Sequence, residues 1–219
     1  MKVWVTRTEP GASRTARRLR ALGHEPLVEP VLEVHPLPAA VDLDGVGALA
    51  FTSGNGLHAF AKLNPDRGLP VFTVGEATAR AAREAGFGSV MSAGGDVQAL
   101  AMLIVASQAK LAGKVLFAGA VEPAGDLMGA LDVAGVPARF AAVYETRPRA
   151  VQPPPGAEAV LVHSPKAAER LAVIFSGRIG PAAYCISAAA AAPLAGRPFA
   201  KVAFADQPTE EALLALLPA

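Results

Sequence analysis

The chain has few of the features that would indicate redox, metal or disulfide chemistry. Cys185 is the single cysteine of the 219 residues, so the sequence excludes an intrachain disulfide. No CxxC pair and no histidine cluster has the spacing of a zinc site, and we expect no metal. A single cysteine suits a reducing compartment, so we expect a cytoplasmic protein. Because Cys185 lies in an apolar strand, we expect its thiol to be buried and inert.

The sequence also lacks an excess of charge and a long apolar run. It has 20 Lys+Arg against 19 Asp+Glu, which leaves no broad basic field for nucleic acid or a membrane surface. No stretch approaches the roughly 18 apolar residues of a membrane span. Residues 1–7 predict a strand and a turn, without the apolar run of a signal peptide. We therefore expect neither nucleic acid nor membrane as a partner.

Three common sequence signatures of catalysis and cofactor binding are missing. There is no Walker-A phosphate loop and no GxGxxG segment between a strand and a helix, which argues against nucleotide cofactors. There is no GxSxG turn of the kind that exposes a nucleophilic serine. A nucleotide-dependent transferase with paired Rossmann-like lobes is therefore a weak alternative, which nucleotide binding by calorimetry would revive.

An internal repeat is the strongest positive feature of the sequence. Two copies of one α/β segment follow each other, at about 1–112 and 113–219. In each copy, a strand is followed by a Glu-Pro pair and then by a helix. The helix ends at a glycine, which is Gly23 in the first copy and Gly135 in the second. Later in each copy, a strand that runs into a helix ends at Ser53 or at Ser164. Both copies close with a short strand, an N-cap candidate (Asp96 or Thr209) and an amphipathic helix.

The alternation of helices and strands predicts parallel sheets with helices on both faces. Proline-rich connectors at 35–38, 147–148 and 153–155 divide the chain three ways. The middle piece 36–148 and the joined outer pieces 1–35 and 149–219 each supply five strands and four helices. We therefore expect a discontinuous lobe 1 (1–35 and 149–219) and a continuous lobe 2 (36–148). A fold in which each copy forms its own domain stays open.

Chemistry is expected at the turns from strand to helix, because ligands of open parallel sheets bind at the carboxyl ends of the strands. Hydroxyl groups and unhindered amides there could hold carboxylates or phosphates, and a lysine or arginine could add a charged contact. Ordinary helix capping would select the same small polar residues. The candidates at these turns are Thr6, Arg7, Thr52, Ser53, Gly75, Ser164, Lys166 and Ser187.

Two further side chains have open interpretations. His163 occupies the position of Thr52 at a strand end, where it could titrate near neutrality and transfer a proton, or be a hydrogen-bonded filler of the core. Tyr144 ends the long strand of the second copy, two residues before the crossover. Its hydroxyl could face the space between the lobes, or its ring could pack in the core.

Short motifs along the chain together resemble the uroporphyrinogen-III synthase family. They are Val-Thr-Arg at 5–7, Phe-Thr-Ser at 51–53, Val-Gly-Glu-Ala-Thr at 74–78, Val-Tyr-Glu-Thr-Arg-Pro at 143–148 and Pro-Thr-Glu-Glu-Ala-Leu-Leu at 208–214. The resemblance implies an α/β fold of two similar flavodoxin-like lobes, each a five-stranded parallel sheet with helices on both faces, joined by a two-stranded linker.

The resemblance also implies a reaction and roles for residues. Hydroxymethylbilane, a linear tetrapyrrole, would lose its hydroxyl as water and close with its last ring inverted, without metal or organic cofactor. Tyr144 would protonate or position the leaving hydroxyl, and Thr78 would join the substrate-binding residues. Lobe 1 departs from the family pattern at His163, which stands in place of a threonine, and at 187–190, where glycine and threonines are expected. We expect a monomer; a non-catalytic bilobal binding protein for a small anionic ligand is the alternative.

Overall fold

The computed structural model describes residues 1–38 and 40–218. Its strands are β1 Lys2–Val5, β2 Glu25–Val28, β3 Leu32–Pro36, β4 Val46–Phe51, β5 Val71–Thr73, β6 Val90–Ser92, β7 Lys114–Ala120, β8 Ala138–Pro148, β9 Ala159–Val162, β10 Gly180–Cys185 and β11 Phe199–Phe204. Its α-helices are α1 Gly11–Ala21, α2 Gly54–Leu63, α3 Glu76–Glu84, α4 Val97–Ser107, α5 Leu127–Val133, α6 Pro165–Ile174, α7 Ala188–Ala191 and α8 Glu210–Leu214. Short 3-10 turns follow at Gln108–Lys110 and Ala192–Leu194.

The chain divides into two compact units. Unit 1 consists of Met1–Glu33 and Arg147–Ala219, and unit 2 of Val34–Thr146. None of the helices in the described residues has the length and apolar character that crossing a membrane requires.

Unit 1 is built on a five-stranded sheet in the order β11-β10-β9-β1-β2, and all of its strand pairs are parallel. Alternate residues of β1 enter different apolar clusters, since successive side chains of a strand point to opposite faces. Trp4 packs with α6, whereas Val3 and Val5 pack with α1 and α8. Both faces of the sheet are therefore covered by helices, as the helix–strand alternation predicted.

Unit 2 contains a sheet in the order β3-β8-β7-β4-β5-β6. Pairs β8-β7, β7-β4, β4-β5 and β5-β6 are parallel. All six residues of β4 are buried, which is typical of a central strand covered on both faces. The sheet has six strands, where five were predicted, because β3 from the expected linker hydrogen-bonds to β8. The prediction of an α/β fold with parallel sheets is confirmed.

The two predicted copies of the repeat differ at Pro30. In the second copy β8 runs unbroken from Ala138 to Pro148, whereas the first copy splits into β2 and β3 around Pro30. Proline has no N–H to donate to a ladder, which explains the break. The carbonyl of Glu29, just before it, accepts a hydrogen bond from the indole nitrogen of Trp4 at 2.7 Å.

Glycines end the equivalent helices of the two copies, as predicted. Gly23 follows α1 with a φ of 79°, and Gly135 follows α5 with a φ of 68°. Both angles lie in the left-handed region, where a side chain would cause strain. The two equivalent helices therefore end by the same means.

Candidate functional site

Three of the predicted binding serines cap helices. Ser53, Ser164 and Ser187 precede α2, α6 and α7, and the hydroxyl oxygen of each accepts a hydrogen bond from the backbone N–H three residues later, at 3.1, 3.2 and 3.3 Å. Capping satisfies an N–H that the first helical turn leaves without a partner. The capping interpretation is confirmed for all three, and the predicted caps Asp96 and Thr209 act in the same way.

Ser53 has a second contact, with Tyr144. The Ser53 and Tyr144 hydroxyl oxygens lie 3.0 Å apart, which is hydrogen-bond distance. Tyr144 stands next to Ala120 at the carboxyl end of β7, and Ser53 follows the carboxyl end of β4, the neighbouring parallel strand. The sheet thus brings the predicted catalytic tyrosine to the N-terminus of α2. The Tyr144 ring is buried, with 6% of its surface exposed.

A glycine makes room for this contact. A β-carbon added at Gly56 would lie 2.8 Å from the backbone oxygen of Ala118 and 3.6 Å from a ring carbon of Tyr144. Real β-carbon contacts essentially never fall below 3.0 Å. The first turn of α2 can therefore approach the backbone of β7 this closely only because residue 56 has no side chain, whereas 3.6 Å from the tyrosine ring is an ordinary contact distance.

The other unit 2 candidates surround the starts of α2 and α3. Gly75 precedes α3, and its carbonyl accepts hydrogen bonds from the backbone N–H groups of Thr78 and Ala79 at 3.0 and 3.1 Å. A β-carbon at Gly75 would meet no heavy atom within 4 Å, so the backbone at this helix start is open to a ligand. Thr78 is buried and Thr52 is half-buried.

Thr6 and Lys166 of unit 1 lie in different environments. Thr6 is fully buried, and its hydroxyl donates to the carbonyl of Leu161 at 2.6 Å, which ties β1 to β9. Its side chain therefore has a structural role. Lys166, in the first turn of α6, is half-buried.

Arg7 belongs to a partly buried polar cluster around Glu210. One oxygen of the Glu210 carboxylate accepts hydrogen bonds from Arg7 Nη1 at 2.9 Å and from His163 Nε2 at 3.0 Å. The other oxygen accepts a hydrogen bond from the Thr15 hydroxyl. Arg7 and His163 follow the neighbouring parallel strands β1 and β9, which is why the two side chains meet at the carboxyl end of the sheet. We call these four residues the Glu210 cluster.

The electrostatics of the cluster follow from burial and from hydrogen bonds. Burial lowers the pKa of His163, and this outweighs the opposing effect of the Glu210 carboxylate, so the imidazole is neutral at pH 7. Burial opposes ionisation of Glu210, but the hydrogen bond from His163, the charge of Arg7 and the hydrogen bond from the Thr15 hydroxyl together lower its pKa. Burial also lowers the pKa of Arg7, which stays far above neutrality. The cluster therefore holds a carboxylate against a guanidinium and a neutral imidazole.

The hydrogen bond fixes the tautomer of His163. The Glu210 carboxylate can only accept, so Nε2 carries the hydrogen and Nδ1 is left as an acceptor. Nδ1 is buried and has no hydrogen-bond partner in the part of the chain that the structure describes. The structure thus favours the interpretation of His163 as a hydrogen-bonded core residue.

Glu210 and Thr15 were not identified from the sequence. Glu210 is the first residue of α8, where an acidic side chain is common because it complements the helix dipole. Thr15 lies on the buried face of α1, which is typical of ordinary amphipathic patterning. The 208–214 motif contained a signal, since it has two adjacent glutamates, but only the structure shows that Glu210 is half-buried and Glu211 exposed.

A surface groove of about 540 Å³ lies elsewhere on unit 2. It runs between α4 and α5, and its lining includes Gln98, Met102, Val105, Asp126 and Val133. None of the predicted site residues is among its lining residues.

Comparisons with known proteins identify the family. The family model of uroporphyrinogen-III synthase HemD matches residues 13–215. The uroporphyrinogen-III synthetase of Helicobacter pylori 26695 is 22% identical, with 98% of this chain and 96% of that chain covered and a TM-score of 0.70. A mutant uroporphyrinogen III synthase of the extremely thermophilic bacterium Thermus thermophilus is 18% identical, with 98% and 96% covered and a TM-score of 0.57. No curated protein is similar enough to count as a match.

The two structural likenesses support the α/β fold, and the family model carries the functional assignment. Because that model spans nearly the whole chain, the family resemblance that the sequence motifs indicated is confirmed. The function lies in tetrapyrrole biosynthesis, and the activity is that of a cyclising lyase. The chain belongs to the uroporphyrinogen-III synthase family.

Proposed function

We propose that the chain converts hydroxymethylbilane into uroporphyrinogen III through the residues described above. The terminal hydroxymethyl group accepts a proton, its C–O bond breaks, and the hydroxyl leaves as water. The electron-rich pyrrole stabilises the cation that remains, and this cation bonds to the substituted α-carbon of the last pyrrole in a spiro intermediate. The bond from that carbon to the preceding bridge then breaks, and the bridge bonds to the free α-carbon of the same pyrrole, which is thereby inverted. The proton that leaves this carbon restores the proton donor. Because the pyrrole expels the hydroxyl readily once a proton reaches it, the main task of the protein is to hold the substrate in the right curl.

Tyr144 is the proposed proton donor to the leaving hydroxyl. The observation that carries this role is the 3.0 Å contact between the Tyr144 and Ser53 hydroxyl oxygens at the start of α2. The N-terminal end of a helix has a partial positive charge, which stabilises the negative charge that develops on a tyrosine oxygen as it releases its proton. The Ser53 hydroxyl oxygen already accepts a hydrogen bond from the N–H of Gly56, and its O–H can donate one to the tyrosine oxygen.

Carboxylate binding is the second proposed task. The substrate has eight carboxylates, and each loses hydration on binding unless a donor replaces the water. In unit 2 the donors are the start of α2 with Thr52 and Ser53, and the open start of α3 with Gly75 and Thr78. In unit 1 they are Arg7, Ser164 with Lys166, and the amide of Ser187. The buried Thr6 hydroxyl is not among them, because it is bonded to Leu161.

The division of the chain supports a proposal about its architecture. We regard unit 1 and unit 2 as two flavodoxin-like lobes from a duplicated segment, joined by a two-stranded linker of β3 and the end of β8. When the strands are numbered within the repeat, both sheets contain the order 2-1-3-4-5, with β3 as an extra strand in unit 2. The proposed state is a cytoplasmic monomer.

One assay tests the proposed function. Fresh hydroxymethylbilane is supplied, the products are oxidised to porphyrins, and the type I and type III isomers are separated. Spontaneous closure gives only type I, so type III measures the enzyme directly. We expect type III as the main product, and type I alone would refute the proposal. The same assay with Tyr144→Phe separates catalysis from binding: a non-catalytic binding protein would not need the hydroxyl.

A further inference from the structure

We propose that Glu210 is a positioning residue: its carboxylate fixes Arg7 in the orientation in which the guanidinium binds a carboxylate of the substrate. The inference rests on the proposed function, because it takes Arg7 as a substrate-binding residue. It adds a role for a residue that the 208–214 motif contained but to which it assigned none, and it makes the Glu210 cluster a built part of the binding site of unit 1.

The first support is the number and origin of the contacts to Glu210. Its two oxygens are held by side chains from three places in the chain, which are Arg7 after β1, Thr15 in α1 and His163 after β9. Each of these residues donates, so the pocket has the chemistry of a carboxylate receptor that the chain fills with its own glutamate. A glutamate held on both oxygens cannot change rotamer without breaking several bonds, and it is therefore a fixed support.

The second support is the way in which Arg7 is held. Its guanidinium lies against the α-carbon of Gly11, where a β-carbon would collide with Nε, Cζ and Nη2. Gly11 thus limits Arg7 from one side while Glu210 binds Nη1. The side chain of Arg7 is still 29% exposed, whereas that of Glu210 is 18% exposed. A guanidinium has five N–H donors, so the bond to Glu210 leaves donors for a ligand.

The physical reason for such a support is entropic. A free arginine loses about 2 kcal/mol of rotamer entropy when a ligand fixes it. An arginine that is already fixed avoids that loss when the substrate binds, and its affinity for a carboxylate is higher as a result. Removal of Glu210 would also leave Arg7 partly buried without its counter-charge, which favours rotation of the side chain into water.

The test compares substrate binding with turnover in matched variants. Glu210→Gln keeps the shape and removes the charge, whereas Glu211→Gln makes the same change one residue later in the first turn of α8, at an exposed position. We expect Glu210→Gln to raise KM for hydroxymethylbilane by about fivefold or more, with kcat within about twofold of wild type. Glu211→Gln should behave as wild type in both constants.

Chemical rescue and a variant at Gly11 make the test independent of stability. In Glu210→Ala, added formate should occupy the vacated pocket and lower KM again, but not in the double variant with Arg7→Met. Gly11→Ala displaces Arg7 without touching Glu210 and should raise KM in the same way. Circular dichroism melts establish that each variant is folded at the assay temperature, and Gly11→Ala carries the test if Glu210 variants do not fold.

Several results would overturn the inference. If KM is unchanged in Glu210→Gln or in Gly11→Ala while the melting temperature falls, Glu210 is a structural residue only. A lower KM would mean that Glu210 competes with the substrate for Arg7. An Arg7→Met variant with the KM of wild type would refute the substrate contact itself. Failure of the proposed function is distinct, because the wild type would then give only the type I isomer.

Discussion

The hydroxyl oxygens of Ser53 and Tyr144 lie 3.0 Å apart at the start of α2, although the two residues are far apart in the sequence. The contact gives Ser53 two roles, as cap of the helix and as partner of the tyrosine. It follows that the removal of either hydroxyl should affect the reaction, but only loss of Ser53 should also weaken the helix.

Tyr144→Phe should lower the rate of type III formation by more than about tenfold, which corresponds to about 1.4 kcal/mol of barrier. The ring still fills its place in the core, so the melting temperature should change little.

Ser53→Ala should lower both the rate and the stability, the latter by about 1 kcal/mol for a lost cap. Asp96→Ala removes a cap from α4 in the same unit and serves as the control. It should lose stability and keep the rate; an equal loss of rate in Asp96→Ala would show that the effect of Ser53 is one of stability.

Gly56→Ala tests the close approach of α2 to β7. The added β-carbon would lie 2.8 Å from the backbone oxygen of Ala118, so the helix or the strand must move. We expect a loss of about 1–3 kcal/mol in the free energy of unfolding and a lower rate of type III formation, because the Ser53–Tyr144 distance changes. Gly54→Ala lies in the same helical turn, but its β-carbon would have no neighbouring heavy atom closer than 3.9 Å. This variant should fold as wild type. Urea titrations and the isomer assay together measure both effects, and equal stability of the two variants would contradict the expectation.

Much of the fold could be predicted from local patterns, because helix ends, strand runs and caps depend on neighbouring residues. Gly23 and Gly135 marked the ends of equivalent helices, and Asp96 and Thr209 marked two helix starts. Contacts between distant residues were out of reach. Glu210 binds Arg7 and Thr15 from near the other end of the chain, and the two adjacent glutamates in the first turn of α8 carry no sign of that pairing. The pairing of β3 with β8 was missed for the same reason.

Gly75→Ala separates ligand access from stability. The new β-carbon would meet no atom within 4 Å, and the backbone of Gly75 is extended, with a φ of −156°. The free energy of unfolding should therefore stay within about 0.5 kcal/mol of wild type or rise slightly. If a substrate carboxylate approaches the first N–H groups of α3, the methyl group should obstruct it and raise KM by about threefold or more. A KM equal to that of wild type would remove Gly75 from the proposed contacts.

Cys185 should be unreactive in the folded protein. It is completely buried at the end of β10, and burial raises the pKa of its thiol to about 12, so almost no thiolate exists at pH 8. We expect a disulfide reagent such as DTNB to react at least about 100-fold more slowly with the native protein than with the protein in urea. Rapid, stoichiometric reaction under native conditions would show that this strand end is open to solvent.

The stability of the protein should fall as the pH is lowered from 7.5, because the Glu210 cluster binds fewer protons when folded than when unfolded. Burial lowers the pKa of His163 below its usual 6.5. As the pH falls through 6.5, the imidazole is therefore protonated in the unfolded chain before it is protonated in the folded chain. The pKa of Glu210 is lowered from 4.5 to about 2, and its contribution is lost as the pH falls through that range. In both cases more protons are bound by the unfolded state, and the free energy of unfolding rises with pH.

His163→Gln isolates the upper part of this pH dependence. The glutamine amide can still donate to Glu210, but it does not titrate. Urea unfolding at pH 7.5 and 5.5 should therefore show a smaller loss of stability in His163→Gln than in the wild type. The Glu210 contribution should persist in the variant between pH 4.5 and about 2, although weakened, since one of the groups that lower the pKa of Glu210 has been changed. An identical loss between pH 7.5 and 5.5 in both proteins would show that another group is responsible, and that His163 can accept a proton in the folded state without cost.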